Sequence, residues 1–266
     1  MDRARLRKLM PSLVAGHLPR NARNYYYRVY DDQPHFSSFG MPVDPRPFQG
    51  TVIDKTDDAL IIKTSRVAFA AVDREMATLD PEAGTKVDVV PYARRDFDGS
   101  RIDAAVEETH QTHEGHRYTV CTVAVGGRDV RLPLPASRCF QLADLIEQIE
   151  QMIAPDGLRK IVHLLVDAGA TAFTCVDPEP EAIVDTPPEI AFDVDTAKFR
   201  GRVAIVYDRA LDLYAVDLRR DDTVLKRVEL VDFTTLGTTL ADLIDDGHWR
   251  RIQISIVGRA RKRTLH

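Results

Sequence analysis

Four groups of residues have types and spacing that chemistry could use. His110, His113 and His116, with Cys121 close behind, supply imidazole and thiolate, the ligands of a tetrahedral zinc site. Their spacing is not that of a zinc finger and no C-x-x-C accompanies them, so a solvated polar loop is the expectation. Asp208 precedes a strand carrying Asp217-Leu218-Arg219, an echo of nucleases that hold Mg²⁺ on carboxylates and steady phosphate with a lysine. Here arginine replaces the lysine and a third acid is missing. Asp54, Asp57, Asp58 and the Asp73-Arg74 pair could do acid–base work if their surroundings split their pKa values, but paired aspartates more often make turns. Finally, Arg20, Arg23 and Arg28 interleave with Tyr25, Tyr26, Tyr27 and Tyr30, while Arg259, Arg261, Lys262 and Arg263 close the chain. Guanidinium groups beside tyrosines suit phosphate and stacked bases, and equally the hot spots of protein interfaces.

Absent are the motifs with few false positives: G-x-S-x-G, the phosphate-binding G-x-x-x-x-G-K-[ST], G-x-G-x-x-G and H-E-x-x-H. Cys121, Cys139 and Cys175 are odd in number and widely spaced, which argues against a disulfide framework and for a reducing compartment. Each is expected to be a small apolar core residue. No cofactor and no metal is expected.

The 266 residues are 44% hydrophobic and 29% charged, enough for a real core. No apolar run approaches the roughly 18 residues that cross a bilayer, and the basic start is broken by Pro11. A cytoplasmic protein without a membrane partner is expected. Charge is uneven. Residues 1–30 carry +6, residues 250–266 another +6, and the whole chain −5, which leaves −17 on the stretch between. Basic ends on an acidic body attract phosphate or an acidic protein surface.

The elements that would position these groups are those of an α+β chain: a curved antiparallel β domain or small barrel, then a helical pair and a β-β-β-α-β unit. Residues 1–47, with Pro34, Pro42, Pro45 and Pro47 at their end, read as a basic, aromatic arm with one strand in N-Y-Y-Y-R-V-Y-D-D. Residues 48–136 read as β-rich, with strands at Thr51–Asp54, Ala59–Thr64, Val67–Val72 and Lys86–Pro91. A later hairpin, Tyr118–Ala124 with Val130–Leu134, is expected to turn at Gly126-Gly127. Within 137–178, the stripe Leu142, Leu145, Ile146, Ile149, Met152, Ile153 predicts one helix, and Leu158, Ile161, Val162, Leu165 a second, joined by two or three residues and followed by a short strand. The Pro- and acid-rich run 179–189 reads as a linker, 190–258 as the β-β-β-α-β domain with a turn at Asp221-Asp222, and 259–266 as a basic tail.

One block carries a resemblance. Gly50, the apolar strands up to Phe69, Val72-Asp73-Arg74, Leu79, Pro81, Gly84, Val87, Val89, Tyr92 and Gly99 are similar in pattern to the small domain of KfrB-type accessory proteins of conjugative plasmids and integrative elements. It covers residues 48–99 only. Val72 stands where that pattern leads one to expect a histidine. The resemblance implies a bacterial, cytoplasmic protein of mobile DNA and carries no catalytic role. The chain is therefore expected to be a non-enzymatic accessory protein that binds another protein of the host or of a conjugation system. Inhibition of conjugative transfer, or fertility inhibition, is its most concrete form. The expected binding residues are Arg20, Arg23, Tyr26, Arg28 and Tyr30, with Arg259, Arg261, Lys262 and Arg263. A DNA-binding regulator or plasmid-maintenance factor would use the same residues on phosphate. A metal-dependent nuclease would rest on Asp208, Asp217 and Arg219.

Overall fold

The computed structural model describes residues 1–221 and 223–259, and these form an α+β protein of two compact units. Met1–Ala93 and the residues from Trp249 onward make unit 1; Arg94–His248 make unit 2.

Unit 1 begins with a helix, α1 (Arg3–Ala15), where only a basic arm was expected. Asp2 caps it by accepting hydrogen bonds from the amides of Ala4 and Arg5. Leu6, Met10 and Val14 recur every fourth residue and give it one buried stripe. Strands β1 (Tyr26–Tyr30), β2 (Phe48–Lys55), β3 (Ala59–Lys63), β4 (Ala68–Asp73) and β5 (Thr85–Val90) follow. They form a sheet in the order β1-β4-β3-β2-β5, completed by a last strand from the far end of the chain, Gln253–Arg259. All neighbours are antiparallel except β1 and β4, which run parallel. An isolated bridge joins Ala77 to Ile252, and the sheet does not close into a barrel.

The central strands are buried on both faces, which is why A-L-I-I and A-F-A-A-V read as unbroken apolar runs. Ala59, Ile61, Phe69 and Ala71 pack under α1 with Leu6, Met10 and Val14. Leu60, Ile62, Ala70 and Val72 face the other core, with Val52, Val87, Val89, Ile252 and Ile254. Gly50 is required by close approach: a Cβ there would lie 2.4 Å from Ile62 Cγ2 and 2.7 Å from the Lys63 carbonyl oxygen.

Unit 2 opens with an exposed ribbon, β6 (Val106–Gln111) and β7 (Arg117–Thr122). It turns at 112–116, not at Gly126-Gly127, and Val130–Leu134 forms no strand. Helices α2 (Phe140–Gln151) and α3 (Ile161–Asp167) are joined by the longer segment 152–160. Strands β8 (Thr171–Val176), β9 (Glu189–Asp195), β10 (Arg200–Asp208), β11 (Leu213–Arg220) and β12 (Thr223–Val231) make one antiparallel sheet in the order β12-β11-β10-β9-β8. Helix α4 (Leu236–Ile244) shares a core with α2, α3 and one face of this sheet.

Two expected boundaries are corrected. Residues 179–189 do not separate domains: β8 and β9 on either side are paired neighbours, and Ile183 between them is buried. The unit after residue 190 does not keep its final strand, since β13 (Gln253–Arg259) pairs with β5 of unit 1. Asp222, half of the expected turn, lies outside the described residues, as do Arg261, Lys262 and Arg263.

Candidate binding surface

The residues with the most reactive side chains are placed apart. His110 lies on β6 opposite Tyr118, their rings stacked at 5.5 Å, while Cys121 pairs with Glu107. Strand alternation puts His110 and Cys121 on opposite faces of the ribbon. His113 and His116 sit in its turn, which the His116 carbonyl closes by accepting from the Thr112 amide at 2.9 Å. Among the described residues no group of three or more His, Cys, Asp or Glu is arranged to hold a metal ion. Cys139 is buried and Cys175 half-buried, its thiol pushed up by burial, but Cys121 is exposed, contrary to expectation.

The nuclease-like set does not converge. Asp208 pairs with Leu213 at the end of β10, and its Oδ1 accepts from the Ala210 amide at 2.9 Å, holding a turn. Asp217 pairs with Ala204, four residues back along β10, or about 13 Å at the rise of an extended strand. Asp217 is buried and both its oxygens are occupied: Arg227 Nη1 lies 3.0 Å from Oδ1, and Arg219 Nη2 2.9 Å from Oδ2. Arg219 also forks onto Glu189 at 3.0 and 2.8 Å. The register puts Ala204 on the diagonal between Arg219 and Glu189, so the guanidinium covers alanines on that face.

The aspartates of the β block fasten α1 to the sheet. The chain's amino group donates to Asp73 at 2.9 Å, which raises the amine's pKa. Asp58 accepts from the Asp2 amide at 2.8 Å, and that bond holds its carboxyl below the usual range. Asp57 pairs with Arg5, and Arg74 forks onto Asp80 at 3.1 and 2.7 Å. Asp54 accepts from the Lys55 amide. These bonds are anchors and turns.

What the fold does assemble is a basic corner on unit 1. Arg20 and Arg23 are exposed between α1 and β1, and Arg28 is exposed on β1. Tyr26 is 64% exposed at the strand's start. The other tyrosines are turned inward. Tyr25 packs edge-on to Phe69 and stacks with Tyr27. Tyr30, expected on the binding surface, is only 7% exposed, with its ring 4.9 Å from Phe48 in the barrel-like core. Strand alternation sends Tyr27 and Val29 towards α1; Tyr26, Arg28 and Tyr30 share the other face, where only Tyr30 reaches the core.

The β3–β4 turn adds two cations that sequence reasoning missed. Arg66 Nη2 donates to Asn21 Oδ1 at 3.1 Å, and Lys63 Nζ donates to the His17 carbonyl. Residues 16–30 and 59–72 thus contribute Arg20, Arg23, Arg28, Lys63 and Arg66 and contain no acid. Arg259 pairs with Thr85 on β13, the opposite edge strand of the sheet from β1. The uneven charge also divides between the units. Unit 1 has 19 Lys/Arg against 12 Asp/Glu, a net of +7, and unit 2 has 17 against 29, a net of −12.

No protein-family model, curated protein or solved structure matches this chain. Among the described residues no helix is long and apolar enough to cross a membrane.

Proposed function

We propose that this is a non-enzymatic binding protein whose unit 1 docks an acidic surface of another protein through Arg20, Arg23, Tyr26, Arg28, Lys63 and Arg66. The observation that supports it is that residues 16–30 and 59–72, joined by the pairing of β1 with β4, carry five cations, no acid and the exposed Tyr26. Arginine and tyrosine are the residues on which protein interfaces concentrate their energy. Binding of single-stranded nucleic acid usually draws on several stacked rings, and Tyr25, Tyr27 and Tyr30 are packed inward here. The pattern of residues 48–99, similar to that of KfrB-type proteins, supports a reading in which the protein is a cytoplasmic accessory of a conjugative element that interferes with transfer. A DNA-binding regulator is the second reading, favoured by the +7 of unit 1.

The test is co-purification from a bacterium carrying a conjugative plasmid, with and without nuclease, beside the variant R20E/R23E/R66E. All three side chains are exposed, so the variant keeps the fold. The proposal expects a specific acidic protein that survives nuclease and is lost in the variant, together with relief of any block on plasmid transfer. Loss of all co-purifying material on nuclease treatment gives the surface to nucleic acid. Retention of the same protein by the variant moves binding elsewhere.

A further inference from the structure

Strand β12 is the edge of the unit 2 sheet. It pairs with β11 on one side, and its other side is unpaired among the described residues. Seven of its nine residues are exposed. Natural sheets blunt such an edge with proline, shortness, charge or bulges, because free backbone amides and carbonyls invite another strand. β12 does carry Lys226, Arg227 and Glu229 and two register shifts against β11, yet it is nine residues long and keeps apolar side chains in solvent. Here Thr-Val-Leu-Lys-Arg-Val-Glu-Leu-Val has no proline, and Val224, Leu225 and Leu230 are 46, 54 and 66% exposed.

Leu230 is the second observation. Val228 faces Val216 and Val231 faces Tyr214, so Glu229 and Leu230 together oppose Ala215 in a bulge. Leu230 takes φ +59°, a left-handed backbone that glycine adopts freely and a bulky side chain resists. The fold of one chain gains nothing visible from leucine there, since its side chain reaches into solvent. Strain held at an exposed apolar residue points to a contact made with something else.

Charge says what that is. Arg227 and Glu229 flank Val228 and share the sheet face opposite to it. If a second β12 runs antiparallel alongside, with the two-fold axis at Val228, then Val228 meets Val228, and each Arg227 meets the Glu229 of the other copy. Directly opposed unlike charges stabilise a cross-strand pair; centring on Arg227 would instead oppose two arginines. The strand is complementary to itself, as an isologous interface requires.

We propose that β12 pairs edge to edge with β12 of a second copy, in the antiparallel register centred on Val228, so that two five-stranded sheets become one continuous sheet. This dimer is independent of the basic corner on unit 1.

Sedimentation of the full chain over a concentration series tests it, alongside two variants. E229R sets arginine against arginine twice across the interface; Glu229 is 70% exposed and, among the described residues, its only ion pair is to Arg227 at 3.3 Å, so the monomer tolerates the change. In the same register Leu230 lies opposite Lys226 of the other copy and diagonal to its Val224 and Val228; L230G removes that cover and relieves the backbone. The expected result is a dimer in the wild type and a dissociation constant raised at least about tenfold in each variant. L230G should also unfold at a temperature no lower than the wild-type monomer, a pairing of effects that a purely structural role for Leu230 would not give. A wild-type chain that stays monomeric throughout overturns the proposal. So does a dimer that both variants leave intact. If E229R fails to fold, L230G alone decides.

Discussion

Two buried charged or titratable side chains in the segment before and into α3 show how differently one neighbourhood treats them. Arg159 is fully buried yet surrounded by three carboxylates: Asp156 at 3.0 Å, Asp167 at 2.8 Å, and Asp245. Burial alone would neutralise it, but those partners hold it charged and push its pKa up. It ties the α2–α3 connection to the end of α4. His163 has the opposite fate. Its Nδ1 accepts from the Lys160 amide at 3.0 Å, while its buried Nε2 has no hydrogen-bond partner among the described residues. Burial, followed by the positive charges of Arg94, Lys160 and Arg159, pushes its pKa down to about 3. A free histidine takes a proton near pH 6.5. As pH falls below that value, the unfolded chain binds a proton that the native chain refuses until about 3. Stability contributed by the neutral ring is therefore whole above about pH 6.5 and is lost on acidification, at up to about 1.4 kcal/mol per pH unit. His163→Asn keeps an acceptor near Nδ1 and cannot titrate. Between pH 6.5 and 4.5 its urea midpoint should fall less steeply than the wild type's, by a difference worth about 2–3 kcal/mol at the acid end. Parallel profiles would mean that His163 is protonated in the native protein. His35, also depressed by burial, contributes the same slope to both proteins and cancels from the comparison.

At the scale of elements, α1 is the addition that changes the picture of unit 1. Met10, without exposed surface, inserts into the layer of Ile61, Phe69 and Ala71. Truncating it should leave a cavity and cost about 2–5 kcal/mol. Trp249, the chain's only tryptophan, has its ring 4.7 Å from that of Tyr92, another residue of unit 1. Met10→Ala should lower the urea midpoint seen by Trp249 while amide exchange in β10 of unit 2 stays unchanged. An unaltered midpoint would mean that α1 rests on the sheet without supporting it. The helix was legible in principle, since Asp2 is a cap and Leu6, Met10 and Val14 a stripe, but the basic composition and Pro11 masked it. By contrast β3, β4 and α2 were legible because burial imposes a pattern on composition: continuous apolar runs for strands covered on both faces, one stripe for the helix. β6 escaped because both its faces are in solvent and nothing forces its residues to alternate. The basic corner was half legible. Arg20, Arg23, Tyr26 and Arg28 are neighbours in the chain, whereas Lys63 and Arg66 reach them only through the parallel pairing of β1 with β4, and Tyr30 is withdrawn by a strand register that no composition reveals.

At the scale of the whole molecule, the chain order of the two units has a consequence for folding. Unit 2 is one continuous stretch, with a core that runs from Ile102 to Ile244 without help from either terminus. Unit 1 is split. Its sheet takes β13 from beyond unit 2, and Ile252 and Ile254 of that segment are part of the core otherwise built by Val52, Leu60, Ile62, Ala70, Val72, Val87 and Val89. The same segment supplies backbone bonds: the Ile252 amide donates to the Met76 carbonyl at 2.9 Å, the Thr78 amide to the Ile252 carbonyl at 3.0 Å, and the Ile254 amide to Thr78 Oγ1 at 2.9 Å. Without it, Val87 and Val89 lose cover and β5 becomes a bare edge. Long-range pairing of this kind closes late, because the intervening chain must be ordered first. A polypeptide of residues 94–248 should therefore fold alone, with a cooperative thermal transition. Residues 1–93 alone should lack one, and should regain it when a synthetic peptide of residues 249–259 is added, since that peptide restores both the two isoleucines and the hydrogen bonds to Met76 and Thr78. Circular dichroism of the two pieces, with and without the peptide, decides the matter. Cooperative unfolding of 1–93 by itself would show that β13 decorates a sheet already complete, and a peptide with no effect would place the missing stability in unit 2.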